Sequence, residues 1–403
     1  MSIDNLADEL SSIGNKNERT FYLMHKNIHC ATFRLQGLNV IKFEVKNEEH
    51  MPNMFLDRNY SGIDKMRMWL KNRSIPRTRD FYDRIIKNLN GMNPLEIIIL
   101  CKALRVTDCY WIKEENSTDI WETENFFLNF NRTSDLLDRL YIESDLLTKS
   151  YKVNEKTLFS PNFTSEGSLP KVWKYDSSRN NWILYKSNRY YNEVDNEVLW
   201  STILELFRVD HIEYWKGKLG NIKCALSENY CNDDMEFVSA YDLTFRYKKN
   251  NQQSDVVNLC NYCKSLGLDM QQFLNVQLIF DYLLANADRH WNNFGVIREP
   301  SSLKPIKIMP IYDNGNSMYF RNDLDEYFND PNLNFTEREK TTKECLKYVT
   351  DFSFVRDNAN KLKELPEMVY SLRYEINQYY QKERVEREVE KVKEHVDYLL
   401  TKI

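Results

Sequence analysis

The stretch that most constrains this chain is an apolar helix that ends in a crowd of polar residues and is followed at once by two short strands. QQFLNVQLIFDYLLANA, which follows Met270, is apolar enough to be buried, and it runs straight into the loop DRHWNN. FGVIREPSSLKPIKIMPIYDNG then reads as two short strands around a Ser/Pro turn, the second closing on Asp313 and Gly315. A helix fixed in a core and a strand pairing back beside its exit hold both polar ends in register. Asp288 and, five residues on, Asn293 put a carboxylate and an amide oxygen on one side of a tight turn. Asp313 brings a second carboxylate to the same place. The plain alternative is that NADRH only ends a helix and YDNG only turns. Either motif alone favours that alternative; both together, in this order and at this separation, favour a site.

Such a set suits phosphoryl transfer from ATP. That reaction leaves the protein little covalent work and demands positioning and neutralisation of phosphate charge. One carboxylate meets the acceptor hydroxyl, and oxygen ligands hold Mg²⁺, which prefers hard oxygen donors and keeps several waters.

DYLLANADRHWNNFGV followed by IKIMPIYDNGNSM resembles the catalytic core of HipA-like kinases, the toxin kinases of bacterial toxin–antitoxin systems and their relatives. The resemblance implies an α+β, bilobal protein-kinase-like fold that uses ATP and Mg²⁺. It implies Asp288 as the catalytic carboxylate and Asn293 and Asp313 as metal ligands. Arg289 and His290 belong to the same motif as supports of the loop, with His290 as a lesser candidate for proton acceptor.

The ATP-binding half is less sharply marked. A kinase needs a cation on the α/β-phosphates and usually a Glu on a neighbouring helix to orient it. PKVWKYD and NNWILYK alternate bulky apolar with polar residues around SSRN, which predicts a hairpin over 171–186. Lys186 at its end fits the strand lysine, with Lys171 and Lys174 as rivals. Glu197, near the start of the helix VDNEVLWSTILELF, fits the partner and resembles the family's helix start; Glu193 is its rival. The loop FTSEGSLPK sits where the family covers the phosphates. Gly167 and the hydroxyls of Thr164, Ser165 and Ser168 offer close backbone approach and donors, although only one glycine is present and a surface turn is the alternative. Some family members autophosphorylate a serine here, and Ser165 and Ser168 are both candidates. A connector from about Ser227 to Ala240 is expected to join the lobes and face adenine.

At 403 residues the chain exceeds what one core serves. The expected division is an accessory unit over 1–150, a small lobe over 151–240 and a large lobe over 241–403. In the first unit CATFRL and NVIKFEV read as strands, and DFYDRIIKNL and NPLEIIILCKAL as helices, the latter capped by Asn93 with Pro94 at its first position. The clear resemblance spans about 160–320, so a specific antitoxin or substrate does not carry over.

The net charge of −5 argues against a chain-wide nucleic-acid binder. KMRMWLKNRSIPRTR, residues 65–79, nevertheless holds six basic residues and no acid; a solvated loop or a docking surface for the acidic remainder is the commoner use of such a run. Neither a signal peptide nor a membrane span is expected, which predicts a cytoplasmic protein. Cys260 and Cys263 form a CxxC without a second ligand pair, so all eight cysteines are expected to be reduced thiols. Val385, Val389, Val392, Val396 and Leu399 make a stripe that predicts a C-terminal helix packed on its own domain rather than a coiled coil. Three function classes stand: a Ser/Thr protein kinase acting on an unidentified protein, as a growth-inhibiting toxin with a possible antitoxin; a small-molecule or lipid kinase; and a non-catalytic kinase-fold binding module.

Overall fold

Alternation at period two and helical stripes sort the described residues into three antiparallel sheets and a helical body. The computed structural model describes residues 18–80, 82–89, 91–130, 159–188, 192–320, 328–336 and 341–403. The expected boundary near residue 150 lies outside the described residues.

The first sheet runs β3(Asn39–Val45), β2(Ile28–Gln36), β1(Glu18–His25), β4(Tyr110–Glu114). Phe21 faces Phe33 across the β1–β2 pair, their rings stacked at 5.5 Å. This face is covered by Met66, Trp69 and Leu70 of α1(Gly62–Asn72) and by Ile98 and Ile99 of α3(Pro94–Leu100). α2(Tyr82–Asn88) lies between those helices in sequence. Asn93 caps α3 and Glu96 closes a capping box, which satisfies the helix's first N–H groups.

The middle sheet has the order β5(Lys171–Asp176), β6(Asn181–Lys186), β8(Ile222–Glu228), β7(Trp215–Leu219). One face buries Val172, Ile183, Cys224 and Leu226 against Ile75, Ile85, Leu89 and Ile97 of the preceding part. On the other, Ala225 joins the core of α4(Glu193–Leu206), which contributes Val198, Leu199 and Trp200. The sheet is therefore covered on both sides. β1 escapes a sequence reading because its apolar residues run together without alternation, and β7 because three of its five residues are Lys or Gly.

A third, three-stranded sheet runs β11(Pro305–Ile308), β10(Gly295–Arg298), β9(Glu236–Ser239), and β9 leads into the short α5(Ala240–Leu243). Gly295 is obligatory here, because a Cβ would stand 2.2 Å from the Val238 carbonyl oxygen. The body behind it is helical. α6(Asp255–Ser265) and α7(Met270–Leu283) pack with α8(Ala359–Ile376) and α9(Lys382–Leu400), the last laying Val385, Val392, Val396 and Leu399 inward. That is the intramolecular packing its stripe predicts. Cys260 and Cys263 sit in the same core, where burial pushes both thiols up to about 12, against the thiolate form a metal needs. All eight cysteines are buried and unpaired as disulfides.

Candidate active site

The polar cluster is assembled from the exit of α7, the segment after β11, the end of β6 and the first turns of α4. α7 stops at Leu284, and Ala285 turns the chain with φ of +50°. Asp281, buried one turn earlier, anchors the loop beyond the helix. Its carboxylate accepts from the Arg289 guanidinium at 3.1 Å and from Asn286 Nδ2 at 2.7 Å. Arg289 is fully buried and also donates to the carbonyls of Asn293 (3.1 Å) and Tyr312 (2.9 Å) and to Asn314 Oδ1 (2.5 Å). One side chain thus ties the helix, the loop and the Asp313 segment together. The sequence reading names Arg289 as a loop support but passes over Asp281; an acid within the apolar run QLIFDYLL is the signal that could have found it.

Asp288 sits above this brace. Its N–H donates to Asn286 Oδ1, and its Oδ2 accepts from Asn316 Nδ2 at 2.7 Å. His290 Nε2 lies 3.9 Å from its Oδ1, too long for a hydrogen bond. Asn293 donates its Nδ2 to the Asp288 carbonyl at 2.8 Å, which turns its Oδ1 away from the loop backbone. Burial, then the charge of Asp313, raises the Asp288 carboxyl above the ordinary range.

Asp313 carries a φ of +58°, a conformation a non-glycine residue keeps only when its surroundings impose it. Its Oδ1 meets Lys186 Nζ at 2.5 Å, and the same ammonium meets Glu197 Oε1 at 2.7 Å. Glu197 Oε2 accepts from the Asn314 N–H at 3.0 Å. Asn196 donates to the carbonyls of Gly315 and Ser317, and Trp200 to the Ser317 hydroxyl. These bonds stitch α4 to residues 313–317. Gly315 suits the close approach, since a Cβ there would meet the Glu193 carbonyl at 3.1 Å. Burial works to raise the Asp313 carboxyl, but the charges of Lys186 and Lys171 outweigh it and hold it well below the usual range. Among the rivals, Glu197 rather than Glu193 meets Lys186, and Lys174 pairs across the sheet with Ile183.

Lys171 is directly opposite Lys186 on the hairpin, and its Nζ lies under Gly167, where a Cβ would stand 2.5 Å away. Gly167 has φ of +85°. Burial, with the charges of Arg79 and Lys186, lowers the Lys171 ammonium to about 7. The loop above it is held from the first part of the chain. Arg79 donates to the carbonyls of Ser165 (2.7 Å) and Glu166 (3.0 Å), and the Asp80 N–H donates to the Ser168 carbonyl (2.9 Å). The Thr164 hydroxyl donates to the Leu104 carbonyl at 2.5 Å and so faces away from the lysines. That departs from the expectation that it lines a phosphate loop. The basic run 65–79 likewise differs from a solvated loop: Arg73 and Arg79 are buried, Arg73 beside Asp108 and Arg79 on the loop.

The connector between β8 and β9 is pinned by the first part too. Asn229 donates to the Val106 carbonyl, and the Phe237 N–H to that of Thr107. At its far end Glu236 accepts from Arg298 Nε at 2.7 Å and the Cys109 N–H at 3.0 Å, and shares a hydrogen bond with His25 Nε2 at 3.1 Å.

No family model matches the chain, and no curated protein matches it. Solved structures do. HipA of Shewanella oneidensis, determined with HipB and its operator DNA, superposes with a TM-score of 0.56 at 12% identity, over 94% of this chain and 97% of that one. The proinflammatory kinase CtkA of Helicobacter pylori matches at 17% identity over 58% of this chain and 93% of its own, with a TM-score of 0.45. The chain has the fold of HipA. The match reaches well beyond residues 160–320, where the sequence resemblance is clear, and takes in most of the first 150 residues. No helix among the described residues is long and apolar enough to cross a membrane.

Proposed function

We infer that this chain is a HipA-like, ATP-dependent protein Ser/Thr kinase of the cytoplasm. In this reading residues 1–150 form an accessory unit, 151–240 the small lobe and 241–403 the large lobe. The observation that carries it is a pair of carboxylates in different surroundings at one place: Asp313 meets Lys186 at 2.5 Å, itself paired with Glu197 at 2.7 Å, while Asp288 is a third exposed and held by Asn316. Environments that separate two acids in this way mark different chemical roles.

Lys186, oriented by Glu197, binds the α/β-phosphates, and Lys171 adds a second cation under Gly167. Ser165, Gly167 and Ser168 cover the phosphates through their backbone. Asp288 orients the acceptor hydroxyl and takes its proton as the new bond to phosphorus forms. Arg289 positions the loop. The donor set fits Mg²⁺: Asp313 and Asn293 offer hard oxygens, and such ions are held by one or two carboxylates together with phosphate oxygens. Bound there, it would neutralise phosphate charge. A toxin role and an antitoxin partner rest on the likeness to HipA, solved in complex with HipB.

The test pairs nucleotide calorimetry with transfer of labelled phosphate to the protein itself and to lysate proteins. Asp313→Asn and Asn293→Ala are expected to abolish transfer with the fold kept, and Lys186→Ala to lose ATP affinity or turnover while Lys174→Ala stays near wild type. Normal Mg²⁺-dependent transfer by Asp313→Asn, or a loss in Lys174→Ala alone, would reject the assignment.

A further inference from the structure

Apart from the cleft at Lys186, a groove of about 1130 Å³ runs between α1 with residues 72–78 on one side and β9 with α5 on the other. That volume exceeds the ~300–1,000 Å³ of ordinary small-molecule sites, so it suits an extended chain better than a nucleotide. Its lining includes Gly167 and Asn292, both exposed. Gly167 lies over Lys171, and Asn292 is the neighbour of Asn293 in the loop that carries Asp288. Whatever fills the groove therefore arrives beside the site where phosphate is transferred.

The charges of the lining select the occupant. Three of its acids are already committed: Asp108 to Arg73, Glu166 to Arg105 and Glu236 to Arg298. Asp242 accepts from the Ser239 hydroxyl, and burial raises its carboxyl to about 6. Arg67 is bound to Asp64 and to the Val40 carbonyl. Lys71 and Arg77, both exposed, form no ion pair with another described residue and stand on the wall formed by the run with six basic residues. Tyr241 of α5, 51% exposed, also lines the groove. Two cations and an aromatic among several acids suit a polypeptide bearing a few carboxylates. Asp57 and Asp242 dilute the positive charge of the lining, which leaves too little of it for the dense phosphates of a polyanion.

We propose that this groove binds the acceptor polypeptide as an extended segment whose acidic residues face Lys71 and Arg77, and that it delivers a Ser or Thr hydroxyl to Asp288; the proposal rests on the kinase reading above. The hydroxyl loses its proton to Asp288 and its oxygen bonds to the γ-phosphorus. The bond from that phosphorus to the bridging oxygen breaks, and ADP leaves with the electron pair.

The experiment uses the full chain with a non-hydrolysable ATP analogue and Mg²⁺ at low salt, where exposed charges are least screened. Two fluorescent peptides with one central serine, one flanked by Asp and Glu and one by Lys and Arg, are titrated by anisotropy, with an oligothymidylate as a third probe. Phosphate transfer to each peptide is then read with ATP. Wild type is expected to bind the acidic peptide at least about tenfold tighter, a difference of ~1.4 kcal/mol. Lys71→Glu/Arg77→Glu is expected to reverse the order, and that gain shows the variant is folded. Binding without charge preference, an order unchanged by the double substitution, or the oligothymidylate as the tightest ligand overturns the groove assignment. Binding in the stated order with no transfer to either peptide keeps the groove as a polypeptide site and removes the kinase reading instead.

Discussion

Among the described residues, the buried polar cluster at the candidate site and the one where the first sheet meets β9 are built to opposite ends. In the second, every part closes on another. Glu236 takes hydrogen bonds from Arg298 and the Cys109 N–H and shares one with His25; His25 meets His50 at 2.9 Å and stacks on Tyr110; and Tyr110 accepts from Arg298. Burial would raise the Glu236 carboxyl, but Arg298 and His25 hold it well below the usual range. The site cluster also holds two buried ion pairs, Lys186 with Glu197 and Arg289 with Asp281, yet its remaining carboxylates part company. Asp313 is held down by lysines, while Asp288, a third exposed, is raised. A cluster satisfied on all sides fixes a docking geometry. One whose acids sit in unlike surroundings keeps chemistry in reserve.

The sharpest way to break that contrast is Asp288→Asn. Shape and most hydrogen bonds survive and only the charge goes. ATP affinity by calorimetry should stay near wild type while phosphate transfer falls by about 10²–10⁴-fold, the usual worth of a positioned general base. Equal transfer by both proteins would strip Asp288 of its role and make the two clusters alike. The matching cut at the other cluster is Glu236→Ala, which leaves Arg298 buried without its carboxylate. Removing one partner of a buried pair costs about 3–5 kcal/mol, read as a fall in the urea midpoint with an unchanged slope. A loss below ~1 kcal/mol would mean that water reaches this network and that it does not fix the docking.

The same contrast explains what could be read in the sequence. Asp288, Asn293 and Asp313 are legible because one loop and one strand end carry them in fixed order, and the hairpin and α4 are legible because their apolar periods are clean. Lys186 and Glu197 are eleven residues apart, close enough for local pattern to propose the pair that forms. Asn316 and Lys171 lie inside segments already singled out, but their roles depend on which way side chains turn. The docking cluster is illegible, since His25 and Glu236 are 211 residues apart and neither sits in a motif. Arg79 is hard to place for a related reason. A run of basic residues reads as a solvated loop or as a docking surface until the fold shows that two of them are buried against partners elsewhere in the chain.

Arg79 gives a smaller test, because it joins the accessory part to the loop over Lys171. Its guanidinium holds two loop carbonyls. Arg79→Ala is expected to raise the ATP KM by about tenfold, the worth of one charge-assisted hydrogen bond or two, with a smaller change in kcat. Arg79→Lys keeps the charge but not the fork and should recover only part of the affinity. A kcat loss larger than the KM rise, or full recovery by lysine, would show that charge at the site matters more than the loop's position.

The smallest effect is a pH dependence that belongs to Lys171 and has no counterpart in the docking cluster. Its ammonium is lowered to about 7, chiefly by burial and then by Arg79 and Lys186. Between pH 7 and the ordinary lysine range near 10.4 the unfolded chain therefore binds a proton that the folded one does not. Stability of the free protein consequently rises with pH across that window, the penalty for burying the charge being complete only below pH 7. Nucleotide binding runs the other way. ATP phosphates favour the charged lysine, so binding above pH 7 must take up a proton, and affinity should weaken with rising pH by at most about tenfold per unit. Calorimetry in buffers of different ionisation enthalpy measures that uptake directly. Lys171→Met removes the group while keeping its length, and should flatten both trends, leaving only the titration of ATP itself. Identical proton uptake by wild type and Lys171→Met at pH 8 would show that Lys171 does not meet the phosphates, and that Lys186 carries them alone.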